Sequence, residues 1–215
     1  MLNWKSVAKI KLNILITAGG TREYIDPVRF IANASTGRMG YALARAAIKA
    51  GHTVTLITAP TSLRPPKEAR VSDVVTSDEM FKAVKRNFAK CDTLIMAAAV
   101  SDYKPAAISK TKIKKEQAVL SLDLKPTKDI LKWAGRNKKK GQIVVGFALE
   151  DTDILKNAEA KLKKKNLDMI IANEPAAIGA SKSTLYIKTK TGDWQTLKNQ
   201  TKSASAKKVL AVIEA

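Results

Sequence analysis

Residues 14–40 constrain the fold of this chain more than any other stretch. They open on Ile14-Leu-Ile-Thr-Ala18, an apolar run of strand length, and continue into Gly19-Gly20. A run that short reads as a buried strand, and the paired glycines let the chain leave it with little Cβ obstruction. After a loop comes Asn33-Ala-Ser-Thr-Gly37, directly ahead of an Ala-rich helical pattern over residues 41–50. Ser, Thr and Gly at a helix start leave backbone N–H groups free to face an anion. The unit therefore reads as strand, loop and phosphate-holding helix start. It has neither the G-x-G-x-x-G spacing nor a G-x-x-x-x-G-K-[ST] loop. The helix also begins late after the strand, so residues 21–33 carry more than a phosphate cradle. On residue types alone, a Gly-containing turn in any α/β protein reads the same way.

The rest of the chain repeats this alternation. Gly51 closes the first helix as a C′ glycine. Residues 53–58 are a β-branched, apolar strand, and residues 71–76 a short alternating one. Ser77 opens a helix with Met80, Phe81, Val84 and Phe88 on one face. Residues 94–99 are almost wholly apolar, as befits a central strand covered on both faces. Strands follow at 143–148 and 167–172, with helices starting near Asp129 and over 152–164. A hairpin turns at Thr191-Gly192-Asp193, and residues 203–214 close the chain as a helix. This order predicts an α/β fold: a Rossmann-like, mostly parallel sheet with helices on both faces. Residues 112–115 and 118–124 alternate in a way that predicts a β-hairpin arm outside the sheet, suited to pairing with a second subunit. Asp102 follows the fourth strand at its carboxyl end, where open α/β sheets bind ligands.

At 215 residues the chain suits a single domain. One cysteine, Cys91, excludes an internal disulfide, and its place ahead of a strand reads as a packed thiol. The lone His52 has no second histidine to share a metal with and reads as a turn residue. Lys5, Lys9 and Lys11 interrupt residues 1–12, so no secretory apolar region forms there, and no run reaches membrane-spanning length. A soluble, cytoplasmic protein is expected. The formal charge of +20 calls for anionic partners. Its lysines are spread along the chain with few aromatics between them, which argues against a dedicated nucleic-acid module.

Taken together, these motifs resemble the phosphopantothenoylcysteine synthetase (phosphopantothenate–cysteine ligase) family of coenzyme A biosynthesis, in its bacterial form. The resemblance runs through Ile14-Leu-Ile-Thr-Ala-Gly-Gly-Thr-Arg-Glu, Ile25-Asp-Pro-Val-Arg and Asn33-Ala-Ser-Thr-Gly-Arg-Met-Gly. It continues in Gly51-His-Thr-Val-Thr-Leu-Ile, Ala97-Ala-Ala-Val-Ser-Asp-Tyr and Lys112-Ile-Lys-Lys. Pro126-Thr-Lys-Asp-Ile-Leu, Val145-Gly-Phe-Ala-Leu-Glu and residues 160–173 complete it in family order.

The resemblance implies a ligase that joins 4′-phosphopantothenate to L-cysteine through an acyl-nucleotide, spending CTP, or ATP, with Mg²⁺. It implies Asn33 and Lys112 as catalytic residues, Asn33 for the acyl-nucleotide and Lys112 for its capture by cysteine. It implies a nucleotide site of Gly19, Ser35, Thr36, Gly37, Ala98, Asp102, Lys112, Pro126, Thr127, Lys128, Asp129, Phe147, Lys161 and Lys165. Asp102 would also face the metal. A homodimer follows, with the arm reaching the partner. Only residues 1–13 precede the first strand, so the flavin-dependent decarboxylase of bifunctional relatives is expected on a separate protein. Lys128 stands where the family favours proline, and Gly179-Ala-Ser-Lys-Ser-Thr184 departs from an asparagine-containing segment. Two other readings of the residues stand beside this one. A dinucleotide-dependent reductase would want an acid ending the second strand, where Thr58-Ala-Pro stands, and a basic nucleic-acid-binding protein is motivated by charge alone.

Overall fold

The structure, a computed structural model, describes residues 10–115 and 119–215. The amino-terminal reading over residues 1–12 falls mostly outside them, as does Ala118, where the sequence pattern starts the second arm strand. In chain order the elements are β1 (Asn13–Ala18), β2 (Arg22–Tyr24), β3 (Phe30–Ala32), α1 (Arg38–Lys49), β4 (Thr53–Thr58), β5 (Arg70–Asp73), α2 (Ser77–Phe88), β6 (Thr93–Met96) and β7 (Tyr103–Pro105). They continue as β8 (Leu124–Pro126), α3 (Ile130–Asn137), β9 (Ile143–Leu149), α4 (Ile154–Lys164), β10 (Met169–Asn173), β11 (Lys182–Thr189), β12 (Gln195–Thr201) and α5 (Lys202–Glu214).

Eight strands form the main sheet in the order β12-β11-β10-β9-β6-β1-β4-β5. From β10 to β5 every pairing is parallel. β11 and β12 then add antiparallel at one edge. Counted along the chain, the parallel strands lie in the order 6-5-4-1-2-3, so the winding reverses between β1 and β6. That is the topological switch point of a doubly wound sheet.

Strand periodicity divides the core in two. Ile14, Ile16 and Ala18 point to one face, against Tyr41, Leu43, Ala44 and Ala47 of α1 and Val209, Leu210 and Ile213 of α5. Leu15 points to the other, where α2, α3 and α4 bring Met80, Val84, Phe88, Ile130, Ala134 and Leu162. Strands buried on both faces become nearly continuous apolar runs, as in β6 and β10.

Helix α1 starts at Arg38, three residues ahead of the Ala-rich pattern. Gly37 is its N-cap in the left-handed region, φ 72°, which glycine takes without a Cβ penalty. The first turn then runs over β1 so closely that a Cβ on Gly40 would lie 2.6 Å from the Ala18 Cβ. The N-terminus of α2 is signalled directly by sequence: Thr76 and Glu79 form a reciprocal capping box.

Two features differ from the sequence reading. Residues 21–33 fold into the β2–β3 pair rather than a plain loop. The β-hairpin arm is present, but its paired strands are β7 and β8, at the base, and residues 112–115 are not strand. A lone two-stranded ribbon is marginal in water, and residues 109 and 113 bond instead to the β2–β3 turn. His52 is more than a turn residue. Its buried ring accepts the Leu12 N–H at Nδ1 (3.1 Å) and lies 2.7 Å from Glu214 Oε1 at Nε2, tying the start of β1 to the end of α5. Cys91 is half-buried, and burial pushes its thiol up to about 11, so it stays protonated and inert.

Candidate active site

A cavity of about 590 Å³ opens at the carboxyl ends of β6, β9 and β10, beside the N-terminus of α1. It lies at the reversal between β1 and β6, where crossovers leave in opposite directions and part the loops. Backbone bonds lock those loops. Ala99 N–H donates to Gly19 O (2.8 Å) and Thr21 N–H to Ala99 O (3.2 Å). Ser101 N–H donates to Thr21 Oγ1 (3.0 Å), and Thr127 Oγ1 donates to Ser101 O (2.6 Å). The strand-end loops thus form one hydrogen-bonded unit.

On one wall lie Asn33, Ser35, Thr36 and Gly37. The Asn33 amide donates to Val100 O (3.1 Å), and Thr61 Oγ1 holds Thr36 O (3.0 Å). No side chain caps α1, so its first N–H groups, with the positive end of the helix dipole, face the cavity. Across the floor are Ala98, Asp102, Thr127, Lys128, Asp129 and Phe147. Lys161 and Lys165 close the far side.

Each of these cations is already oriented. Lys161 pairs with Glu150 Oε1 at 2.5 Å, and Lys165 with Asp129 Oδ2 at 2.9 Å. Asp129 also caps α3 through the Lys132 N–H (2.9 Å). Lys128 leans away, its Nζ over the Phe81 ring at 5.2 Å and 4.0 Å from Asp78. Lys104 also pairs with Asp78, and together these lysines hold the Asp78 carboxyl below the usual carboxylate range. The Asp102 carboxylate, by contrast, is exposed and takes no ion pair or hydrogen bond among the described residues. No group of three or more His, Cys, Asp or Glu among the described residues is arranged to cage a metal ion.

Three of the candidate residues do not line the cavity. Gly19 sits buried behind the cradle, where a Cβ on it would press into Ala59 O at 2.6 Å. Pro126 is on exposed β8, one residue before Thr127. Lys112 is exposed on the arm. The cavity also gathers Arg38, Asn173, the turn at residues 177–179 and Lys202, to which the sequence reading gave no role. Arg38 stands next to the N-cap glycine, a visible signal. It donates from Nη1 to Gly179 O (3.2 Å). Lys202 carries no local signal; it enters because β11 adds antiparallel to β10 and leads α5 back to the site. Burial holds its ammonium pKa below the usual value, and Nζ donates to Ser183 Oγ (2.8 Å) and Ala177 O (3.3 Å).

Sequence and structural comparisons place these features among known proteins. The chain is 47% identical over 180 residues to a cysteine/cysteine sulfinic acid decarboxylase from an unknown prokaryotic organism, covering 82% of this chain and 50% of that protein. It is 42% identical over 213 residues to the coenzyme A biosynthesis bifunctional protein CoaBC of Borreliella burgdorferi, covering 98% of this chain and 54% of the relative. It thus spans about half the length of these relatives. Its fold matches the crystal structure of the C-terminal domain of a coenzyme A biosynthesis bifunctional protein CoaBC with a TM-score of 0.84, at 38% identity and 97% coverage of both chains. The sequence model of the DNA/pantothenate metabolism flavoprotein C-terminal domain matches residues 10–215, and the chain belongs to that family.

Proposed function

We propose that this chain is a phosphopantothenate–cysteine ligase working through an acyl-nucleotide. The observation that carries the reading is the cavity itself: a helix N-terminus and several oriented cations surround a space in which no histidine or cysteine takes part. An enzyme that forms a covalent acyl intermediate on its own side chain would need an activated nucleophile beside its base. A reaction whose nucleophile is the substrate's own carboxylate needs only charge neutralisation and alignment. The relatives' role in coenzyme A biosynthesis agrees with that chemistry. The decarboxylase name belongs to a longer protein, of which this chain matches 50%, and is not carried over.

In the first step a carboxylate oxygen of 4′-phosphopantothenate bonds to the α-phosphorus of CTP, or ATP, as the bond to pyrophosphate breaks. In the second, the cysteine amine nitrogen bonds to the acyl carbon, the acyl–phosphate C–O bond breaks, the nucleoside monophosphate leaves and the nitrogen gives up one proton. The Asn33 amide would hold the acyl-nucleotide. Ser35, Thr36 and Gly37 would cradle a phosphate, and Lys161 and Lys165 would face the triphosphate. Thr127, Asp129, Ala98 and Phe147 would line the nucleoside pocket. Among the described residues, Asp102 is the lining carboxylate that no cation pairs with. That suits Mg²⁺ shared with phosphate oxygens, since Mg²⁺ is commonly held by one or two carboxylates plus substrate phosphates. The ion would neutralise charge on the triphosphate.

Lys112 would act on a partner's cavity in a homodimer. The arm supports this with exposed Val119, Leu120, Leu122 and Leu124, an apolar face that a second subunit would cover. Light scattering should give twice the 23.4 kDa chain mass. None of the helices is long and apolar enough to cross a membrane among the described residues. We place the protein in the cytoplasm, with the decarboxylation of its product carried out by another domain or protein.

The test supplies phosphopantothenate, cysteine, Mg²⁺ and either CTP or ATP, and measures pyrophosphate together with product mass. Equimolar pyrophosphate and phosphopantothenoylcysteine are expected. No product with either nucleotide overturns the proposal.

A further inference from the structure

The side chain of Asp26, in the turn between β2 and β3, is fully buried. Its two oxygens have separate tasks. Oδ1 accepts the N–H groups of Val28 (2.8 Å) and Arg29 (2.8 Å) and closes the turn. Oδ2 accepts Arg29 Nε (2.9 Å) and Nη2 (2.5 Å) and, 87 residues along the chain, the Ile113 N–H (3.1 Å). Arg29 Nη2 completes the clasp on Ile113 O (2.6 Å), and Ser109 N–H donates to Ile25 O (2.9 Å). Burial opposes ionisation of Asp26. Hydrogen bonds from the Arg29 side chain and from the backbone of Val28, Arg29 and Ile113 outweigh it and hold the carboxyl well below the usual carboxylate range. Closing the turn needs Oδ1 alone. Burying the second oxygen as an ion is costly unless it is fully paired, and what that pairing adds is a fixed arm.

We infer that Asp26 is the positioning residue for Lys112. The Ile113 N–H lies in the same rigid peptide plane as the Lys112 Cα and carbonyl, so the bond from Ile113 to Asp26 fixes the backbone from which the Lys112 side chain departs. The Arg29 bond to Ile113 O fixes the following plane. The lysine side chain itself stays exposed, free to reach a ligand. This inference rests on the proposed part of Lys112 in the second half-reaction.

Asp26→Asn isolates the clasp. With its Oδ1 still accepting the turn N–H groups, its amide nitrogen faces the Ile113 N–H and the Arg29 guanidinium, donor against donors. Pyrophosphate release without cysteine reads the first half-reaction; capture of preformed acyl-nucleotide by cysteine reads the second. The expected result is capture slowed at least about tenfold, first-step release within about threefold of the parent, and exchange of the Ile113 amide hydrogen accelerated at least about tenfold. Ile113→Pro deletes the arm's donor without touching Asp26 and should split the half-reactions in the same way; it decides the matter if Asp26→Asn does not fold. Normal capture, unchanged exchange at Ile113, or equal loss of both half-reactions overturns the inference. Lys112→Gln is run alongside. If its capture is normal, the role given to Lys112 fails. If its capture is lost while Asp26→Asn and Ile113→Pro capture normally, only the positioning role fails.

Discussion

Asn33 and Asp26 lie seven residues apart in sequence and meet different surroundings. Asn33 is exposed on the cavity wall, steered by its bond to Val100 O. Under the proposed reaction, Asn33→Ala removes an amide that meets the acyl-nucleotide without adding charge. It should abolish pyrophosphate release in the absence of cysteine, with the melting temperature little changed; first-step release at the parent rate would refute the assignment. Asp26 is buried and held below the usual carboxylate range. As pH falls, the unfolded chain protonates this residue before the folded one does. Its stabilisation is therefore whole above about pH 4 and is lost as pH drops further toward the folded value. Thermal melts of parent and Asp26→Asn should differ most near neutral pH and converge below about pH 4; a gap that stays constant contradicts this. Asn33 was legible from its motif. The clasp on Ile113 was not, because its partners are far apart in sequence and nothing local in Lys112-Ile-Lys-Lys marks the contact.

Among the elements, α3 and the end of α4 show how a helix contact sets the site. A Cβ on Gly135 would stand 1.9 Å from Lys165 O, so only glycine lets the two segments approach this closely. Lys165 in turn holds Asp129, the N-cap of α3, so one close contact fixes both ends of the ion pair. Gly135→Ala should cost about 1–3 kcal/mol in stability and raise the KM for the nucleotide as Lys165 shifts. Unchanged melting and unchanged KM would show that the backbone gives way freely. The central strands β1, β6, β9 and β10 were legible because burial on both faces writes nearly continuous apolar runs, whereas the edge pair β11 and β12 was legible from its turn at Thr191-Gly192-Asp193. β2 and β3 were not, since short strands rich in charged and aromatic residues lack that pattern: Arg22 stacks on Phe30 at 4.6 Å, and Tyr24 meets the same ring edge-on. The helix start at Arg38 was missed because packing against β1, not apolar periodicity, fills its first turn.

For the whole molecule, 39 basic residues against 19 acidic ones set the field in which the proposed polyanionic substrates approach. Raising ionic strength from about 0.01 M to about 0.15 M shortens the screening length from about 30 Å to about 8 Å. We expect kcat/KM to fall across that range while kcat changes little, since steering acts on encounter; a salt-independent kcat/KM would assign the charge no part in substrate capture. The sequence by itself determined the alternation of strands and helices and the two-faced core, because these depend on neighbours within one or two turns of chain. The tertiary structure alone decided that the winding reverses between β1 and β6, that Lys202 returns to the cavity from the far end of the chain, and that Asp26 clasps the arm. Those outcomes depend on which strands pair and which loops meet, and pairing is won by burial summed over the whole sheet, which no short stretch of sequence encodes.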